Sequence, residues 1–192
     1  MPKSEIVPCT KEEIEKIINA SIGDDFYYML FKVASKTGRR LGEYYEVQVK
    51  DVDFESKVMK TKILKRRQRV FKDAILDDEL ITLIKRYILK NKLRLDDYLF
   101  RKVEYKEKYK TFIAYRTIQN RIASYSKKAG ITHKVSFHNF RHYFVTSLLK
   151  KGWSYDKISK LTGHSSIGTL AIYDHVIAKD IQEDARRDIK DL

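Results

Sequence analysis

The segment His138-Asn139-Phe140-Arg141-His142 sets an imidazole and a guanidinium three residues apart, a spacing that brings both to one face of a helix. Downstream, His164 follows a glycine in Leu161-Thr162-Gly163-His164-Ser165-Ser166, and Tyr173 comes nine residues later. Upstream, Arg39 and Arg40 stand just before Glu43. Between Lys57 and Lys72 lie Lys57, Lys60, Lys62, Lys65, Arg66, Arg67, Arg69 and Lys72, with no acid among them. Arginine binds phosphate oxygens and stays charged at any working pH. Histidine, lysine and tyrosine move protons or attack. A divalent metal would need clustered carboxylates, and no Asp/Glu cluster flanks these cations. Each feature alone has a plain reading. His-x-x-Arg arises often on helix surfaces, a histidine beside a glycine turn can bond backbone, and a tyrosine among 13 commonly serves packing.

The whole chain agrees with a phosphate-bearing partner. It has 192 residues, 40 Lys+Arg against 26 Asp+Glu, and a net charge of +14. A basic globular chain usually meets nucleic acid; the bland alternative is a lysine-rich surface selected for solubility. With 43% hydrophobic residues it can bury a core. The longest apolar run, Phe26 to Phe31, is far short of the roughly 20 residues that cross a membrane. The start, Met1-Pro2-Lys3-Ser4-Glu5, lacks the apolar block of a signal peptide. A lone Cys9 permits neither an intrachain disulfide nor a cysteine-rich zinc site, so a reducing cytoplasm is expected.

The elements that must hold these residues are mostly helical. Thr10-Lys11-Glu12-Glu13 is a capping box, followed by Ile14, Ile17 and Ile18 at helical spacing. A second helix is expected from Asp24 to Lys36, ended by Gly38, and a short one from Arg40 to Val47. Val58 to Phe71 reads as a hairpin around the basic cluster. Asp77 to Leu89 is amphipathic, and Lys90 to Lys110 reads as a loop. Further helices are expected over Thr117–Ala129, Phe137–Lys150, Asp156–Leu161 and Ser165–Tyr173. In the Phe137 helix, Phe140, Phe144 and Leu148 make one buried stripe. Ile177, Ile181, Ala185 and Ile189 give a one-sided tail helix. The fold class is mainly α with a small antiparallel β-sheet. The domain reading is a linker or truncated arm over 1–9, a catalytic domain over 10–175 and a C-terminal tail helix over 176–192.

Taken together, His138-x-x-Arg141-His142, Leu161-x-Gly163-His164-Ser165 and Tyr173 resemble the C-terminal signature of the tyrosine recombinases, the phage integrase family that includes the Xer and Cre enzymes. Thr37-Gly38-Arg39-Arg40-Leu41-Gly42-Glu43 is similar to the family's Thr-Gly-x-Arg-x-x-Glu box. The resemblance runs from Thr10 to Lys179. It implies a catalytic set of Arg40, Lys65, His138, Arg141, His164 and Tyr173, with Glu43 supporting Arg40. Tyr173 would be the nucleophile and would form a 3′-phosphotyrosyl link. Arg40 and Arg141 would clamp the phosphate, and His138 is the candidate base. A lysine of the hairpin would protonate the leaving 5′-oxygen, while Lys62, Arg66, Arg67 and Arg69 would contact DNA. No metal and no cofactor is expected. The implied partners are double-stranded DNA and further copies of the chain, in a tetrameric synapse joined through the tail.

Three points depart from the family pattern or stay open. The residue before Arg40 is usually apolar, yet here it is Arg39, which could also reach Glu43. The lysine box lacks its usual glycines, so Lys65 is the first choice and Lys62 the alternative. Family members carry an N-terminal helical clamp, and the chain reads as a catalytic domain without one. His142 and His175 are expected to pack or to bond backbone. A type IB-like topoisomerase would use a similar site. A non-catalytic helix-turn-helix over Ser154 to His175 would explain the charge without chemistry.

Overall fold

The computed structural model describes residues 7–65, 68–101 and 114–163, together with Ala178, Gln182 and Arg186; for 63–65 and 68–70 it describes the backbone. In chain order the described elements are α1 (Lys11–Ala20), α2 (Asp25–Thr37), α3 (Leu41–Tyr44), a 3-10 turn (Val49–Asp51), β1 (Val52–Asp53), β2 (Val58–Lys65), β3 (Gln68–Ile75), α4 (Asp78–Lys90), α5 (Tyr115–Lys128), α6 (Phe137–Lys150) and α7 (Tyr155–Thr162).

Local chemistry sets most helix ends. The Thr10 hydroxyl accepts from the Glu13 amide, and the Glu13 carboxylate accepts from the Thr10 amide at 2.9 Å, closing the expected box on α1. Asp24, Asp77 and Ser154 cap α2, α4 and α7 through their side-chain oxygens. Gly38 and Gly163 end α2 and α7 in the left-handed conformation, with φ of 60° and 72°.

Helix α2 is the centre of the fold. Phe26, Tyr27, Met29, Leu30, Phe31, Val33 and Ala34 are all buried, so it is apolar nearly all round. It packs against α1, α4 and α6. Phe31 stacks on Phe140 of α6 with ring centroids 5.1 Å apart. Helix α5 rests on α1, and α7 touches both α6 and β3. The antiparallel sheet has the order β1-β2-β3, and β2 pairs with β3 from Val58↔Ile75 to Lys65↔Gln68.

Several expectations shift. The short helix after Gly38 ends at Tyr44 rather than Val47; the Val47 amide makes a tighter i→i−3 bond to the Tyr44 carbonyl, and the Val47 carbonyl accepts from the Leu99 amide. The hairpin gains β1 as a third strand, and β3 continues to Ile75. The described part of the Lys90–Lys110 loop is not a loose surface segment: Leu99 and Phe100 are buried, and Leu95, Asp97 and Leu99 bond back to the 47–50 backbone. On α6, Phe144 and Leu148 are only half-buried; the buried side carries Phe137, Phe140, Arg141, Val145 and Leu149. The stripe rotates because the core side of α6 accommodates the Arg141 guanidinium. The Ser165–Tyr173 helix and the apolar tail positions lie outside the described residues, while Ala178, Gln182 and Arg186 are helical and exposed.

Gly38 carries two demands at once. Its φ is positive, and a Cβ there would come within 2.3 Å of the Phe144 ring. Left-handed backbone costs about 1–2 kcal/mol for an L-residue, and overpacking adds roughly 1–3 kcal/mol. Gly38→Ala should therefore lose about 2–5 kcal/mol of stability in urea unfolding, with an unchanged midpoint contradicting this account.

Candidate active site

Separate chain segments converge on a shallow cleft of about 230 Å³. The turn after α2 supplies Arg39 and Arg40, and the first turns of α6 supply His138 and Arg141, with Phe137 and Tyr115 as apolar wall.

Arg141 is buried, and its Nη1 donates to the Gly38 carbonyl at 2.8 Å and to the Thr162 carbonyl at 3.2 Å. These carbonyls stand at the C-terminal ends of α2 and α7, where the helix dipole is negative and a cation is favoured. One guanidinium thus holds the ends of two helices against the start of a third. The α7 end, Thr162-Gly163, leads directly to His164 in the sequence.

Arg40 caps the short α3. Its side chain is 45% exposed, and Nη1 lies 3.2 Å from Oε1 of Glu43, which is 5% exposed. The other Glu43 oxygen accepts from the Arg40 amide at 3.1 Å. One buried carboxylate therefore anchors both backbone and side chain of Arg40 and leaves the rest of the guanidinium facing the cleft. The i, i+4 pair between Arg39 and Glu43 does not form as a hydrogen bond. Arg39 turns inward instead, buried to 1% exposure, with Nη2 donating to the Asp73 carbonyl of β3 at 2.6 Å. Its amide donates to the Tyr44 hydroxyl, which also bonds Thr37 at 2.7 Å. Burial pulls the Arg39 guanidinium below its ordinary pKa, opposed in part by Glu43.

His138 is solvent-exposed at the edge of the cleft. Desolvation first, and then the Arg141 and Arg40 charges, hold it below the usual histidine range. It is thus neutral near pH 7 and able to accept a proton. His142 packs edge-on against it at 4.4 Å between centroids and is buried, as its place in the sequence suggests. Burial, with His138 and Arg141 nearby, pushes His142 down to about 4.

The hairpin flanks this cleft. Met59 and Thr61 of β2 face inward, and Lys62 lies on the opposite face, as alternation requires. Lys62 is not wholly open, because its Nζ sits 3.8 Å from Glu46 with the side chain 18% exposed. Lys65 ends β2 opposite Gln68, at the tip of the hairpin. Arg66, Arg67, His164, Tyr173 and His175, and the side chains of Lys65 and Arg69, lie outside the described residues. Lys72 ties the sheet to the α7 end, donating to the Lys160 carbonyl in its last turn at 2.8 Å.

Two other features have different chemistry. A larger cavity of about 560 Å³ beside α2 and α4 sets three acids, Asp25, Asp78 and Glu79, against one cation, Arg86, a net negative lining that disfavours a phosphate. Among the described residues, Cys9, Glu13 and His133 bring potential metal ligands within 4.8 Å of one another. Glu13 is already bonded to Thr10 and to His133. Burial pushes the Cys9 thiol up to about 12, which disfavours the thiolate a metal needs. Sequence reasoning missed the burial of Arg39 and the Tyr44 hydroxyl beneath the arginine turn. The apolar residue usual at position 39 was the available signal for the first, and nothing local marked the second.

The described residues form a mainly α domain with a three-stranded sheet and an arginine–histidine cleft. The model of the phage integrase family matches residues 9–180, and the chain belongs to that family. It is 32% identical to the tyrosine recombinase XerA of Pyrococcus furiosus over 97% of this chain and 63% of that protein. It is 31% identical to XerC of Natranaerobius thermophilus over 86% of this chain and 56% of that one. The crystal structure of a XerA recombinase superposes with a TM-score of 0.78 at 28% identity, covering 97% of this chain and 65% of that one. XerH bound to its palindromic difH substrate shares the fold, with a TM-score of 0.75 at 21% identity over 93% of this chain and 52% of that one. The chain spans about six tenths of the length of these curated relatives. No helix among the described residues is long and apolar enough to cross a membrane.

The histidine pair makes folding sensitive to acid. The unfolded His142 titrates near its ordinary 6.5 and the folded one near 4, so its contribution is complete above pH 6.5 and fades as the pH falls towards 4. Melting temperatures should drop across that window, and His142→Gln should flatten the drop. Identical slopes in the two proteins would place the acid sensitivity elsewhere.

Proposed function

We propose that this chain is the catalytic domain of a site-specific DNA recombinase, acting in the cytoplasm on double-stranded DNA. The observation that carries the reading is the convergence of Arg40, His138 and Arg141 on one cleft in a phage integrase family fold. The named activity of the Xer relatives supports it.

In this reading the phosphodiester lies in the cleft, with Arg40 and Arg141 neutralising its non-bridging oxygens as charge builds on pentavalent phosphorus. His138, neutral and beside two cations, takes the Tyr173 phenol proton while His164 adds a donor. The phenolate oxygen bonds to phosphorus and the 5′-oxygen leaves, taking a proton from Lys65. The phosphotyrosine conserves the bond energy, so a second strand's 5′-hydroxyl reverses the step without ATP. The arginines do the work of a metal, and no metal or cofactor enters the scheme. Lys62, Arg66, Arg67 and Arg69 contact the DNA backbone, and the domain proper runs over 10–175. The tail over 176–192 joins copies in a tetrameric synapse.

A nicked suicide DNA should become covalently attached in the presence of excess chelator, and Tyr173→Phe should abolish attachment. Trapping by the Phe variant, or loss of trapping restored by magnesium, would refute the scheme. Lys65→Ala should slow cleavage by roughly 10²–10⁴ and recover on a strand whose bridging 5′-oxygen is sulfur, because a thiolate leaves unaided. Recovery by Lys62→Ala instead would move the role to Lys62. Truncation after Lys179 should retain DNA binding and lose cooperative assembly in gel-shift titrations; undiminished assembly argues that the tail folds back on its own domain.

A further inference from the structure

The cleft contains one cation more than the scheme uses. Arg39 is buried to 1% exposure, and only Nη2 has a hydrogen-bond partner, the Asp73 carbonyl. Its Nε and Nη1 are buried and, among the described residues, meet no acceptor. The side chain lines the same cleft as Arg40, His138 and Arg141. Glu43 is the nearby acid, and both of its oxygens are engaged by Arg40.

A buried guanidinium with unmade hydrogen bonds is costly, since each unsatisfied donor carries its full desolvation penalty. An apolar side chain would fill the same space without that cost. What offsets the cost is an anion that enters later. Residue 39 is also held rigidly, with its amide on the Tyr44 hydroxyl and its Nη2 on β3, so the free donors are oriented before any ligand arrives.

We propose that Arg39 is a third phosphate-binding arginine, whose Nε or Nη1 donates to an oxygen of the phosphate held by Arg40 and Arg141. This rests on the cleft being the phosphate site. Nε and Nη1 stand on different sides of the guanidinium, and Nη2 gives one of its two N–H groups to Asp73. Arg39 also connects the bound phosphate to β3, the strand that follows the hairpin tip.

Inorganic phosphate, titrated into the free 192-residue chain at constant ionic strength, is the probe. Phosphate should raise the melting temperature of the wild type. Arg39→Met should melt no lower than wild type without phosphate, since it removes a buried unpaired charge. It should bind phosphate about tenfold more weakly, the size of one charge-assisted hydrogen bond. Wild-type affinity in that variant overturns the proposal. Should Arg39→Met fail to fold, the Arg39 Nε–H resonance in the wild type decides: phosphate should shift it, and an unmoved resonance beside a shifted Arg40 signal overturns the proposal. Arg40→Ala is the control for the underlying reading. If it retains full phosphate binding the cleft is not the phosphate site, and the inference about Arg39 falls with it.

Discussion

The hydrogen bonds from the Arg141 guanidinium to the carbonyls of Gly38 and Thr162 are the contact on which the rest of the site depends. A guanidinium removed from water is destabilising by several kcal/mol unless its donors are met. Here they meet two helix C-termini, the places where backbone carbonyls lack partners and the dipole is negative. The demands of the cation and of the helix ends cancel each other. That mutual satisfaction brings α2, α6 and α7 to one point, although they are far apart in the chain. Gly38 sits at this point, its carbonyl on Arg141, its backbone left-handed, and the Phe144 ring where a Cβ would be.

Around this tie the site is arranged to be cationic and partly dry. Glu43 spends both oxygens on Arg40, so Arg39 is left without a carboxylate hydrogen bond among the described residues. His138 and His142 respond by staying neutral. The sheet takes part at two points: the Asp73 carbonyl accepts from Arg39, and Lys72 donates to the end of α7. A displacement of the hairpin would therefore be felt at both the arginine turn and the α7 end. Fixed donors of this kind stabilise charge as it forms, because they need not reorganise at the moment of reaction.

The phage integrase family model spans both the arginine turn and the α6 motif, and Arg39 stands between the conformationally demanding Gly38 and Arg40. An arginine there keeps the backbone role of the turn, through the Tyr44 hydroxyl, while adding a charge beneath the cleft. Two buried donors of this guanidinium without partners among the described residues cost stability at this position.

The sequence by itself determined the features whose causes are local. Thr10 and Glu13 specify the start of α1, Asp24 and Gly38 bound α2, and Ser154 and Gly163 bound α7, because caps and left-handed turns depend on residues within a few positions. The pairing of Arg40 with Glu43 is local for the same reason, and the spacing of His138 and Arg141 on α6 is legible in the residue order alone. The tertiary structure decided what depends on distant partners. Two residues of β1 are too short to show alternation, so their pairing with β2 left no pattern. Leu99 and Phe100 are buried within a charged segment because the 47–50 backbone comes to meet them. The core side of α6 carries Arg141, and a periodicity that counts only apolar residues points instead to Phe144 and Leu148. Of two adjacent arginines that line the cleft, one stays half-exposed on its carboxylate and the other is buried against β3, bonded to the carbonyl of Asp73, a residue 34 positions further along the chain.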